Sequence, residues 1–76
     1  MNKQRRRRIE DIVSQLMDLQ SEIEEIRDEE QEIVDNTPDS LQGTERFEIA
    51  EAAADNLENA CSDMESLIDY LNQSAE

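Results

Sequence analysis

The chain lacks most of the residues from which catalytic and metal sites are built. Its 76 residues contain no His and no Trp, and only one Cys, one Gly and one Pro. Without His, neither the Glu-x-x-His pairs of di-metal helical bundles nor a His-activated nucleophile can be assembled. A single Cys excludes an internal disulfide. We therefore expect a non-enzymatic protein with no catalytic residues, no metal and no cofactor.

Long apolar runs are also missing. No segment approaches the roughly 20 apolar residues that span a bilayer. The basic segment 2–8 is not followed by the continuous apolar run of a secretory signal. The lone Cys61 lies among apolar residues, which favours a buried thiol in a reducing compartment. We expect a cytoplasmic protein with no membrane partner.

Basic residues are few and clustered. The chain has 21 acidic and 7 basic residues, a net charge of −14. The segment from residue 9 onward contains all 21 acidic residues and only two basic ones, Arg27 and Arg46, so its net charge is −19. Duplex DNA carries one negative charge per ~1.7 Å, so the acidic body should repel it. Direct DNA binding by the body is not expected.

Apolar residues recur at alternating spacings of three and four in both halves of the chain. This heptad pattern predicts two helices, about 3–34 and 45–73, that face each other in an all-α antiparallel hairpin spanning 1–76 as one domain. The predicted seam contains Ile9, Ile12, Leu16, Leu19, Ile23, Ile26 and Ile33 on the first helix, and Ala50, Ala53, Leu57, Ala60, Met64, Leu67 and Leu71 on the second.

Further apolar residues lie outside this predicted seam. They are Val13, Met17, Ala54, Cys61 and Ile68. A stripe wider than one seam faces more than one neighbour, and a chain this short has only a marginal core of its own. We predict a homo-oligomer, such as a four-helix bundle or a ring, with Val13, Met17, Cys61 and Ile68 at its interface.

The elbow, residues 35–44, contains the only Pro and the only Gly. Thr37 before Pro38 predicts the N-cap of a short helical turn, and Thr44 can cap the second helix. Free backbone N–H groups at that helix start favour an anion. One hypothesis is therefore a ligand site at the elbow, to which Arg5 and Arg8 of a neighbouring copy would contribute. The residues of the elbow in this site are Asn36, Thr37, Ser40, Gln42, Thr44 and Arg46. The alternative is a capped turn with Arg46 paired to Glu45, Asp39 or Glu30.

Two charged clusters each allow a structural and a functional interpretation. The acidic residues Glu25, Asp28, Glu29 and Glu32 could imitate a row of phosphates and bind a basic protein, or form a solvated surface. The cluster Arg5 to Arg8 opposes the helix dipole, so helix propensity does not explain it. It could pair with Asp63, Glu65, Asp69 and Glu76 of the other helix, or bind an anion.

The elbow sequence DNTPDSLQGTER at 35–46, with DNLENA at 55–60, resembles a family of small acidic proteins from phages and prophages of Gram-positive bacteria. The resemblance brings no established activity. It implies a viral accessory protein in the cytoplasm of the host, where such proteins counter host defence. Short helical hairpins that form rings also resemble the phage sponges that sequester nucleotide-derived immune signals, a likeness of fold. We thus expect sequestration of a nucleotide-type signal; the alternatives are an acidic inhibitor that mimics nucleic acid and binds a basic host protein, or a structural assembly protein.

Overall fold

The chain forms two long helices joined by a short elbow in a computed structural model that describes all 76 residues. Helix α1 spans Lys3–Asp35 and helix α2 spans Glu45–Ser74, with a 3-10 turn at Asp39–Leu41 between them. The predicted all-α hairpin is confirmed. Each helix ends one residue later than the sequence pattern predicted.

Polar side chains cap the starts of both helices. The backbone N–H of Arg5 donates to Asn2 Oδ1 at 2.8 Å, and that of Phe47 donates to Thr44 Oγ1 at 3.3 Å. Thr44 thus caps α2 as predicted. The prediction for Thr37 is wrong, because its hydroxyl donates back to Ile33 O at 2.7 Å and Pro38 stands at the N-cap of the 3-10 turn.

The hairpin is a thin rod with almost no interior. It measures 59 × 15 × 13 Å and has a radius of gyration of 17.3 Å. A compact domain of this length would have a radius of about 11 Å. Two helices side by side can cover only the strip where they meet. Four residues are buried: Val13, Ala54, Cys61 and Ile68.

These four buried residues show that the contact between the helices is rotated away from the predicted seam. All of them belong to the set that lies outside the predicted seam, and Val13, Cys61 and Ile68 are among the residues predicted for the oligomer interface. The structure buries them between the two helices of one chain instead. Met17, the fourth predicted interface residue, stays 54% exposed. Conversely, several residues of the predicted seam are largely exposed, namely Ile12, Leu19, Ile26, Ile33, Ala60 and Leu67.

The rotation of the seam has a physical reason in two polar residues of α1. Gln20 and Arg27 follow Val13 at seven-residue spacing, and two such polar residues argue against that row as a contact surface. Both are satisfied by α2: Gln20 Nε2 donates to Cys61 O at 3.4 Å, and Arg27 Nη1 lies 3.2 Å from Glu58 Oε2. A polar group that finds a partner can enter a contact without a large penalty. The more apolar row of α1, with Ile12, Leu19, Ile26 and Ile33, lies outside this contact and is left open.

Candidate functional site

One side of the hairpin is an open apolar face. On α1 it carries Ile12, Leu19, Ile26 and Ile33, which recur every seven residues and are 47–55% exposed. On α2 the corresponding row contains Ala53, Ala60 and Leu67. We call these seven residues the open face.

The two rows of the open face flank the same side of the hairpin. Near the elbow, Ile33 of α1 and Ala53 of α2 line one groove. Between the rows lies a strip of half-buried apolar residues: Ile9, Leu16, Ile23, Ala50, Leu57, Met64 and Leu71. The apolar surface therefore runs as a continuous band along most of the rod.

At the elbow this band widens into a groove of about 730 Å³. Four of the predicted ligand residues line it, Asn36, Thr37, Thr44 and Arg46, whereas Ser40 and Gln42 do not. The site predicted from the sequence contains none of the apolar residues of this groove, because it was defined by polar donors at the elbow alone. The other lining residues are Glu30, Ile33, Pro38, Leu41, Phe47, Ile49, Ala50 and Ala53.

Most polar side chains of the elbow are already engaged within the chain. Thr44 Oγ1 donates to Leu41 O at 2.8 Å, and Thr37 Oγ1 donates to Ile33 O. Gln42 Nε2 lies 3.4 Å from Thr37 O and 3.3 Å from Asp39 Oδ1. These bonds agree with a capped turn. The ion pair predicted for Arg46 in a capped turn is absent, because Arg46 forms no ion pair with Glu45, Asp39 or Glu30.

The N-terminal arginines lie at the opposite end of the rod from the elbow. None of Arg5 to Arg8 forms an ion pair, so the predicted pairing with acids of the C-terminal half is wrong. The side chain of Arg6 donates to Met1 O at 3.4 Å, and its buried Nε has no partner. Within one chain, Arg5 and Arg8 cannot join Arg46 at a single site.

The acidic residues are almost entirely unpaired. Only Asp28 and Glu58 form ion pairs, both with Arg27, which leaves 19 of the 21 carboxylates without a basic partner. The hydrogen bond from Arg27 to Asp28, together with the charges of Asp28 and Glu58, raises the pKa of Arg27 above its ordinary value. Of the predicted mimic residues, Glu25, Glu29 and Glu32 are exposed and unpaired, and Asp28 is exposed but paired.

Comparisons of the chain with protein-family models, with curated proteins and with solved structures find no match. No cluster of three or more acidic, Cys or His side chains is arranged to hold a metal ion. Neither helix has the length of apolar sequence that crossing a membrane requires.

Proposed function

We propose that this chain is a non-catalytic acidic binding protein that occupies a basic cleft of another protein in place of nucleic acid. Its linear charge density carries the proposal. A net charge of −14 along 59 Å gives one negative charge per about 4 Å of rod. Each strand of duplex DNA carries one phosphate per ~3.4 Å. One hairpin therefore approaches the charge density of one DNA strand.

The carboxylates are also available to a partner. Because 19 of them have no ion pair, binding a basic cleft would break few existing interactions. Long helices hold these groups in fixed rows, which lowers the entropy lost on binding. Complementary charge further raises the rate of association. In the phage setting that the elbow sequence suggests, nucleic-acid-binding proteins of the host are the natural targets.

The test is competition with DNA for basic proteins. A bacterial lysate is bound to DNA-cellulose and washed with this protein at physiological salt. The wild-type chain should release a defined set of DNA-binding proteins. A variant with Glu25→Gln, Asp28→Asn, Glu29→Gln and Glu32→Gln should release far less, because it loses the acidic row near the elbow.

The matched control neutralises four carboxylates elsewhere, with Asp55→Asn, Asp63→Asn, Glu65→Gln and Asp69→Asn. It has the same net charge as the first variant but keeps the acidic row near the elbow, so it should retain most of the wild-type effect if that row makes the contact. Circular dichroism checks that both variants remain helical. Release of no protein by the wild type, or equal loss in both variants, would contradict recognition by the elbow-proximal acidic row.

A second candidate is binding of a nucleotide-type ligand in the elbow groove. The unpaired guanidinium of Arg46 favours it, since this group lines the same groove as the aromatic ring of Phe47. A base could stack on the ring while a phosphate binds the guanidinium bidentately. Glu30 in the groove wall opposes an anion, so the ligand must gain enough from apolar contact to offset that repulsion.

Calorimetry with ADP-ribose and with cyclic dinucleotides tests this candidate. Arg46→Ala should abolish binding, and Arg46→Lys should restore only part of it, because an ammonium lacks the planar fork. Ser40→Ala is the control, since Ser40 lies outside the groove. If the wild type binds no ligand of either class, or if Arg46→Ala binds as well as the wild type, the groove is not a nucleotide site.

A further inference from the structure

We propose that a second copy of this chain docks on the open face, antiparallel to the first, and closes a four-helix bundle. The open face and the half-buried strip beside it repeat the three-and-four spacing of a coiled-coil seam on both helices. Such a seam buries its apolar residues against a partner helix. Within one hairpin the strip is half-buried, but the large apolar residues of the open face have no partner.

The composition of this seam fits a second copy. When the positions that continue its rows are added, namely Arg5, Glu30, Arg46 and Ser74, it has 18 positions, of which only Glu30 is acidic. In the whole chain 21 of 76 residues are acidic. The surface that remains outside this band is thus strongly acidic, and two copies can avoid contact between their acidic sides only by meeting through the band.

The exposed area of the rod agrees with one missing partner. The hairpin exposes 5922 Å². A compact monomer of 8.8 kDa would expose about 4800 Å². The excess of roughly 1100 Å² is comparable to the ~800 Å² that each partner buries in a stable interface.

Charge selects the antiparallel orientation. The elbow half, residues 19–54, has 12 acidic and 2 basic residues, a net charge of −10. The other half has 9 acidic and 5 basic residues, a net charge of −4. Antiparallel docking keeps the two −10 halves apart and brings Arg5 to Arg8 of each copy beside the acidic elbow half of the other. Repulsion between the copies is partly screened, with a Debye length of about 8 Å at physiological ionic strength.

Docking would also complete the elbow groove. Arg5 lies seven residues before Ile12, on the same row, so antiparallel docking places Arg5 of the second copy opposite the groove that Glu30 and Arg46 line. Two hairpins side by side would carry one negative charge per about 2 Å of rod, against ~1.7 Å for duplex DNA. The docking of two copies does not depend on the proposed binding to a basic cleft of another protein.

Sedimentation and light scattering at tens of micromolar protein test the interface. The wild type should have twice the mass of 8.8 kDa. Ile26→Glu, at the centre of the open face, should halve that mass because it would bury an unpaired charge. Met17→Glu is the control: Met17 is as exposed as Ile26, 54% against 50%, but lies off the band, so this variant should stay dimeric. A monomeric wild type, or equal dissociation of both variants, would overturn the proposal.

Disulfide trapping tests the orientation. Two proteins that carry Cys61→Ala are prepared, one with Ile12→Cys and one with Ile33→Cys, and are mixed under oxidising conditions. Antiparallel docking places Ile12 of one copy near Ile33 of the other, so the mixed disulfide should form faster than either homodimer. Predominant linkage between two Ile33→Cys chains would mean that elbow meets elbow and would overturn the orientation.

Discussion

Two adjacent residues of α2 give a sharp test of which seam closes the hairpin. Ile68 is 8% exposed, whereas its neighbour Leu67 is 45% exposed. Truncation to Ala removes three carbon atoms from each side chain, worth about 0.8 kcal/mol apiece when fully buried. Ile68→Ala should therefore lower the free energy of unfolding by about 2 kcal/mol, with a further cost if a cavity remains. Leu67→Ala should cost only about 1 kcal/mol in the isolated hairpin.

Urea and thermal unfolding, followed by circular dichroism at 222 nm over a hundredfold range of protein concentration, measure both effects. A loss of about 2 kcal/mol corresponds to a fall in Tm of roughly 8–16 °C for a domain of this size. The loss in Ile68→Ala should persist at the lowest concentration, because it arises within one chain. Leu67→Ala should instead weaken the dependence of Tm on concentration. A larger loss in Leu67→Ala than in Ile68→Ala at the lowest concentration would refute the observed seam.

The structure also predicts whether two substitutions and a change of salt concentration stabilise or destabilise the protein. Thr44→Ala should lower the free energy of unfolding by about 1 kcal/mol in urea titrations, because it removes the cap that accepts the Phe47 N–H. Gly43→Ala should stabilise the chain by about 0.4–1 kcal/mol in the same titrations, since Gly43 does not have a positive φ and an added Cβ would meet nothing within 4 Å. Raising NaCl from ~0.05 to ~0.5 M should raise the Tm by screening the unpaired carboxylates, and a Tm that falls with salt would mean that ion pairs hold the hairpin together.

Local sequence signals predicted the elements of this fold well. Asn-Thr-Pro and Gly at 36–43 located the elbow, and the heptad spacing located both helices. These features depend on residues close together in the chain. Thr44 was identified as a cap for the same reason.

The rotation of each helix about its own axis could not be predicted in this way. The predicted seam and the observed seam share the half-buried residues, such as Leu16 and Leu57. They differ only in the second row of residues on each helix. Hydrophobicity favoured the row with Ile12, Leu19 and Ile26. The outcome depends on long-range contacts of Gln20 and Arg27 with α2, which no local pattern reveals. The ligand residues at the elbow were overestimated for a related reason, because their donors serve the turn itself.

The central claim is that Val13 of α1 and Cys61 and Ile68 of α2 are buried between the two helices of one chain. The accessibility of the Cys61 thiol tests this claim most directly. Cys61 is the only cysteine and is 4% exposed in a single chain. Its labelling by a disulfide reagent should be slower than in the urea-unfolded chain by at least about tenfold, an opening free energy above about 1.4 kcal/mol. The protection should be the same at high and low protein concentration and should persist in Ile26→Glu. Protection that appears only as the concentration rises, or that Ile26→Glu abolishes, would place Cys61 between copies and contradict the account.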